Sequence, residues 1–298
     1  MPENKVEVNR ENPSKMAEGI AMQRFGESSK PENERICYDP YAVRFISPEI
    51  IKFGMERPEE ARKKVEQMEK LFPGLSSSIM ARVRYFDDFV KKSIAEGIEQ
   101  LVILGAGYDT RAYRIEGLKN IKVFEVDHPN TQSFKIQKIS EIFGSLLDHV
   151  VYVPVDFEIE SFGQKLFDNG YESSKKTLFV MEGLIMYIPP KAVAETLLFI
   201  VENSGKGSAV IFDYYPESVV DGTCKLEIGT NIRNHLAELG EPLQFGIKAE
   251  KIEDFLTEFG FSKIQNVTSE DYKKLYFQGV NKNRDVCELL YFAHAVVE

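Results

Sequence analysis

Four times between residues 121 and 213, a short apolar run stops on a carboxylate: 121–126 at Asp127, 150–155 at Asp156, 177–181 at Glu182 and 208–212 at Asp213. Stretches with helical spacing separate these runs. Such alternation predicts a parallel sheet with helices on both faces. In an open α/β sheet the ligand lies over the carboxyl ends of the strands. The four acids are therefore expected to converge on one site. The competing reading is that they cap helices or sit in loops, and Asp213 is the acid to which it applies best.

The run before them, 100–104, ends differently, in Gly105-Ala106-Gly107-Tyr108-Asp109. Glycines let the backbone take φ > 0 and let a ligand approach where a Cβ would block it. Asp109 and Thr110 are placed to cap a short helix whose first N–H groups are unpaired. A nicotinamide or flavin turn wants a third glycine, where this chain has Thr110, and an acid about 20 residues on for the ribose hydroxyls, where it has Asp127. The Lys-Ser/Thr of a phosphate loop is missing. Two glycines followed by Tyr-Asp suit a nucleotide without a pyrophosphate, such as S-adenosylmethionine, with its sulfonium and zwitterionic tail.

Ahead of this turn, helices are expected at 15–25 with Ser14 as N-cap, from Asp39-Pro40 through Phe45, at 58–71 as a charged surface helix, and from a Ser76 or Ser77 cap to about Glu96. On the last of these, Ile79, Val83, Phe86, Val90 and Ile94 form one apolar stripe. Arg82 sits at its margin, either snorkelling or pointing at an anion. After 213 the alternation breaks at 214–246. A helix at 249–259 and strands at 261–267 and 286–297 follow, the two strands read as an edge hairpin without a helix between them.

At 298 residues with 43% hydrophobic content, the chain accommodates one large domain. A net charge of −10 argues against nucleic acid as the main partner. Cys37, Cys224 and Cys287 are widely spaced and odd in number, which fits a reducing cytosol, and no pair has zinc-ligand spacing. No apolar run spans a bilayer, and the polar first residues carry no signal-peptide core. A cytoplasmic protein without membrane or metal partners is the expectation; oligomeric state is left open.

LVILGAGYDTRAYR (101–114), FEVDHPNTQ (124–132), MEGLIMYIPP (181–190) and ARVRYFDD (81–88) together resemble the leucine carboxyl methyltransferase family, in its bacterial and archaeal polyketide-type O-methyltransferase branch. The resemblance runs from Ala17 to the C-terminus, and LGAGYDTR followed by EVDHP is its most specific part. It implies a class I methyltransferase fold: a Rossmann-like, seven-stranded, mostly parallel sheet with a reversed last strand, preceded by a helical extension. The expected division of the single domain 1–298 is a lid at 1–97, a cofactor-binding core at 98–213, an insertion at 214–246 near the acceptor and a sheet edge at 247–298.

The resemblance also implies roles. Gly105 and Gly107 lie against the amino-acid part of S-adenosylmethionine. Asp127 takes the ribose hydroxyls, and Asp156 with Phe157 flanks the adenine. Arg82 and Arg24 grip the methionine carboxylate, as a guanidinium fork does better than a lysine. Glu182 sits near the amino group. Tyr187, five residues on, reads by its position either as a half-buried aromatic or as a contact for the methyl acceptor. His128 is assigned to packing beside the adenosine, and His235 is a poor candidate for a base. Methyl transfer from a sulfonium is an in-line displacement in which positioning supplies roughly 7–11 kcal/mol. Without a well-placed histidine, a small-molecule carboxylate or acidic hydroxyl is favoured as acceptor. The stretch 28–35 is longer than in the phosphatase-directed members, which speaks against a protein C-terminal carboxylate. A nicotinamide-dependent oxidoreductase and a non-catalytic cofactor-binding protein are the readings from other classes.

Overall fold

In the computed structural model, residues 14–156 and 160–298 are described. Helix α1 (Lys15–Ser28) is capped by Ser14, whose hydroxyl accepts the Ala17 N–H at 3.1 Å. It runs three residues past its expected end, through Gly26 and Glu27, because the Glu27 carboxylate is bonded by Lys30 and Arg284 and by the Ile36 N–H. The helix expected after Asp39-Pro40 is only a 3₁₀ turn, Ala42–Phe45. Pro48 keeps Ser47 extended (ψ 141°), which stops the turn and starts an unanticipated helix, α2 (Pro48–Glu56). Helix α3 (Pro58–Leu71) follows as expected, and neither α2 nor α3 has a buried residue.

Helix α4 (Leu75–Ala95) starts behind Gly74, not at a serine cap. Gly74 is left-handed (φ 70°), and a Cβ there would stand 2.6 Å from the Val286 backbone. The expected caps lie inside the first turn. The neighbouring Ser78 is buried, and its hydroxyl meets the Cys287 N–H and the Tyr272 hydroxyl.

The sheet then builds by alternation: β1 (Gln100–Leu104), the one-turn α5 (Arg111–Arg114), β2 (Lys122–Asp127), α6 (Pro129–Phe143), β3 (Val150–Pro154), α7 (Phe162–Asp168), β4 (Thr177–Met181), α8 (Pro190–Glu202) and β5 (Ala209–Tyr214). The 214–246 stretch forms α9 (Glu217–Asp221) and α10 (Glu227–Glu238), and α11 (Ile252–Glu258) leads into β6 (Phe261–Val267). The last two strands pair antiparallel as expected, but a helix, α12 (Ser269–Tyr276), does lie between β6 and β7 (Tyr291–Val297). Its start is a Thr268–Asp271 capping box, a signal carried by only four residues.

Strand order is β3-β2-β1-β4-β5-β7-β6, with β7 antiparallel to β5 and β6. This is the seven-stranded sheet with a reversed last strand that the resemblance implies. The order reverses between β1 and β4, which opens a crevice above their carboxyl ends. One core packs α4 against the sheet, with Ile79, Val83, Phe86 and Val90 buried. The other packs α7, α8 and α11 on the opposite face. Among the described residues no helix is long and apolar enough to cross a membrane.

Candidate active site

The glycine turn lies at the crevice. Gly105 and Gly107 both have positive φ (65° and 41°). A Cβ on Gly105 would stand 2.9 Å from Leu184 Cδ1, so the turn abuts the loop after β4. A Cβ on Gly107 would stand 3.4 Å from the Ala17 Cβ, so α1 lies directly over the turn. The Gly107 N–H donates to one oxygen of Asp127, and the His128 N–H to the other at 2.6 Å. Burial raises the Asp127 carboxyl, and these two N–H groups oppose that rise. His128 itself caps α6 through the Asn130 N–H.

Helix α5 is a single turn, and the Asp109 carboxylate accepts the Arg111 N–H at 2.6 Å. Asp109 thus caps this short helix as expected, and the Arg111 N–H serves the protein's own acid. Thr110, in place of the third glycine, donates its hydroxyl to Asp39 at 2.8 Å and accepts from Arg114.

The acids on the other side of the crevice are tied to arginines from far along the chain. Arg82 Nε donates to Glu182 at 3.1 Å, and its Nη1 to Asp213 at 2.6 Å. Arg111 reaches the second Glu182 oxygen at 2.5 Å, and it also bonds Asp109 and Asp87. Arg114 grips Asp87 through both Nη atoms. These groups form one buried ionic chain. Within it, burial would raise Asp109, but Arg111, Lys135 and Arg114 together bring that carboxyl down to about 2. Asp213 goes the other way: burial raises it, against Arg82 and the Gly183 N–H.

The structure brings Gly105, Gly107, Asp127, Arg82 and Glu182 to the crevice. With Nε and Nη1 taken by Glu182 and Asp213, Arg82 Nη2 is the nitrogen that makes no hydrogen bond to a described residue. Arg24 is buried beside the turn, donating to the Tyr108 carbonyl at 2.6 Å and pairing with Asp39 at 3.3 Å. Its Nε is buried without a described partner. Asp156 follows β3 next to Asp127, since the Val155 N–H donates to the Asp127 carbonyl. Phe157 lies outside the described residues.

Tyr187 is half-buried on the loop after β4, and the Gln244 side chain donates to its carbonyl at 2.6 Å. That bond brings the end of the 214–246 insertion onto this loop. Tyr215, missed in the sequence, is buried beside it. Burial pushes both phenols above their usual range, reinforced for Tyr187 by Glu241 and for Tyr215 by Tyr187. Arg82 and Asp213 act on both. The available signal was Tyr214-Tyr215 directly after Asp213: in a strand one of two successive residues faces each side. Arg111, Arg114 and Asp87 stood inside the family-like motifs without a role. Their part emerges only when α4 and α5 are packed together. His235 packs on Phe72, away from these groups.

The leucine carboxyl methyltransferase family model matches residues 17–201 of this chain. YktD of Bacillus subtilis (strain 168), named as a candidate S-adenosyl-L-methionine-dependent methyltransferase, is 30% identical over 260 residues, 85% of this chain and 82% of its own. Among solved structures, a candidate methyltransferase from Thermobifida fusca superposes with a TM-score of 0.59 at 14% identity, over 80% of this chain and 88% of its own. A DUF574-family protein from Streptomyces avermitilis does so with a TM-score of 0.60 at 13% identity, over 99% and 100%. These two carry the fold alone. Motifs, sheet topology and sequence match agree, and the chain belongs to the leucine carboxyl methyltransferase family of S-adenosylmethionine-dependent, class I methyltransferases.

Proposed function

We propose that this chain moves the methyl group of S-adenosylmethionine onto an oxygen of a small molecule that arrives as a carboxylate or an acidic hydroxyl. The observation that carries the reading is the pair Tyr187 and Tyr215. Both lie beside Arg82 and Asp213 and, like any phenol, are protonated at neutral pH; burial reinforces this, so they serve as hydrogen-bond donors. The histidines offer no base beside them. His128 caps α6, His149 contacts the Ala112 carbonyl, His235 stacks on Phe72 and His294 meets the Tyr85 hydroxyl. A site with donors and no base suits an acceptor that is already ionised.

The cofactor, when bound, supplies an activated methyl group. The chain's residues orient it. The Nη2 of Arg82 and the unpartnered Nε of Arg24 receive the carboxylate of the methionine part, and Glu182 faces its amino group. Gly105 and Gly107 allow close approach. Asp127, held by N–H groups, keeps capacity for a ribose diol, with Asp156 beside the adenine. Helix α1 over the turn and the insertion at Tyr187 exclude water.

Calorimetry with S-adenosylmethionine and with NAD(P), followed by methyl-labelled transfer to a panel of carboxylic acids and phenols, tests this. Binding of S-adenosylmethionine and label released by mild alkali, as from a methyl ester, are expected. Nicotinamide binding without S-adenosylmethionine binding, or label found only on nitrogen, would overturn the reading. Tyr215→Phe should raise the acceptor KM about 10-fold or more, the worth of one hydrogen bond to a charged group, with S-adenosylhomocysteine affinity unchanged.

A further inference from the structure

Away from the crevice, a cleft of about 360 Å³ opens between the loop after α1, one face of α4 and the end of α5. None of the residues given a cofactor role lines it. Its charged groups are Arg35, Arg84, Lys91 and Arg114 against Glu32 and Asp87. In a chain of net charge −10 this is a local surplus of positive charge.

Part of this charge is committed within the protein, and two cations are left over. Asp87 is neutralised twice, by Arg114 and by Arg111 behind it. Glu32 is 92% exposed and only 3.9 Å from Arg35, so water screens it. Arg84 is paired with Asp88. Lys91 has no partner among the described residues. Arg35 sits over the Tyr38 ring, with Cζ 4.0 Å from its centroid, and its guanidinium is uncommitted apart from the long contact to Glu32.

From this arrangement we infer that the cleft is a second ligand site, which takes a small phosphate monoester. Lys91 provides a compact point charge and Arg35 a planar fork, the two cation geometries that suit phosphate. The rim around Tyr38 and Ile115 provides an apolar surface for the organic part. The volume lies at the lower end of small-molecule pockets, larger than a bare ion needs. Arg114 closes the inner wall; its bidentate grip on Asp87 keeps that carboxylate from repelling the anion.

The test is calorimetric titration of the full chain with phenyl phosphate at constant ionic strength. Saturable binding at one site in the millimolar range or tighter is expected. Lys91→Glu and Arg35→Ala should each weaken it at least 10-fold. Lys63→Glu, the same charge change on α3, should leave it unaltered. Lys91 is exposed and partnerless, so its substitution should not move the melting temperature. Absence of saturable binding, unaltered affinity in both cleft variants, or an equal loss in Lys63→Glu would overturn the inference. S-adenosylhomocysteine affinity, measured on the same samples, reports separately on the cofactor crevice.

Discussion

On the β2 side of the crevice, Asp127 is bonded by two backbone N–H groups and has no ion pair among the described residues. On the β4–β5 side, Glu182 and Asp213 share Arg82, and Glu182 also meets Arg111. Both sides end their strands in acids, yet one acid is left with spare accepting capacity and the others are committed. A carboxylate held by N–H donors keeps lone pairs for hydroxyls. Carboxylates clamped between guanidinium groups set the charge and shape of the site, and their removal leaves an unpaired buried cation. The first arrangement leaves an acid open to a ligand; the second fixes the wall from which Arg82 and Glu182 face the crevice.

The contrast is tested hardest by removing its ionic half. Arg111→Ala should destabilise the fold by about 3–5 kcal/mol in urea denaturation, because Asp87, Asp109 and Glu182 lose a shared buried partner. A loss under about 1 kcal/mol would mean the clamp is not structural. Next in size, Asp127→Ala should weaken S-adenosylhomocysteine binding by about 1–3 kcal/mol in calorimetry, with little change in melting temperature. If it instead unfolds the chain as Arg111→Ala does, the two sides are alike and the comparison fails. Smaller again, Gly107→Ala places a Cβ in left-handed backbone at a cost of about 1–2 kcal/mol, seen as a lowered urea midpoint and weakened cofactor binding.

The smallest expected effect concerns pH. Glu125 is buried on β2 and, despite Lys135 at 2.7 Å, burial raises it from 4.5 to about 7. The folded state then holds a proton that the unfolded state has released, so this group's contribution falls as pH rises from about 4.5 to about 7. His294, buried on β7, is lowered by burial from 6.5 to about 4. The unfolded state binds that proton first, so its contribution rises as pH rises from about 4 to about 6.5. The two slopes oppose each other. Glu125→Gln with Lys135→Met should steepen the rise of stability over that window, and His294→Asn should reverse it. Urea midpoints between pH 4 and 7 give the measurement, and parallel profiles in both variants would contradict the assignment.

Much of the fold was readable from local patterns. Strand β1 matches its expected limits, and so do β4 and the surface helix α3. Helix α2 and the short α12 escaped because eight or nine residues carry little periodicity. The serine caps expected for α4 failed because Gly74, forced into left-handed backbone by close contact with residue 286, set the start instead. Asp213, the strand-end acid most open to a bland explanation, pairs with Arg82 131 residues away.

The sequence by itself determined the alternation of strands and helices from 100 to 213, the glycine turn and the acids at the strand ends, because these follow from periodicity and backbone preference within a few residues. Only the tertiary structure decided which acids are neutralised and which keep capacity for a ligand, that α1 lies on the turn, and that Tyr215 joins Tyr187. Those outcomes depend on side chains brought together from distant parts of the chain, up to 131 residues apart, where the free energy of a charge is set by burial and by the partners that surround it.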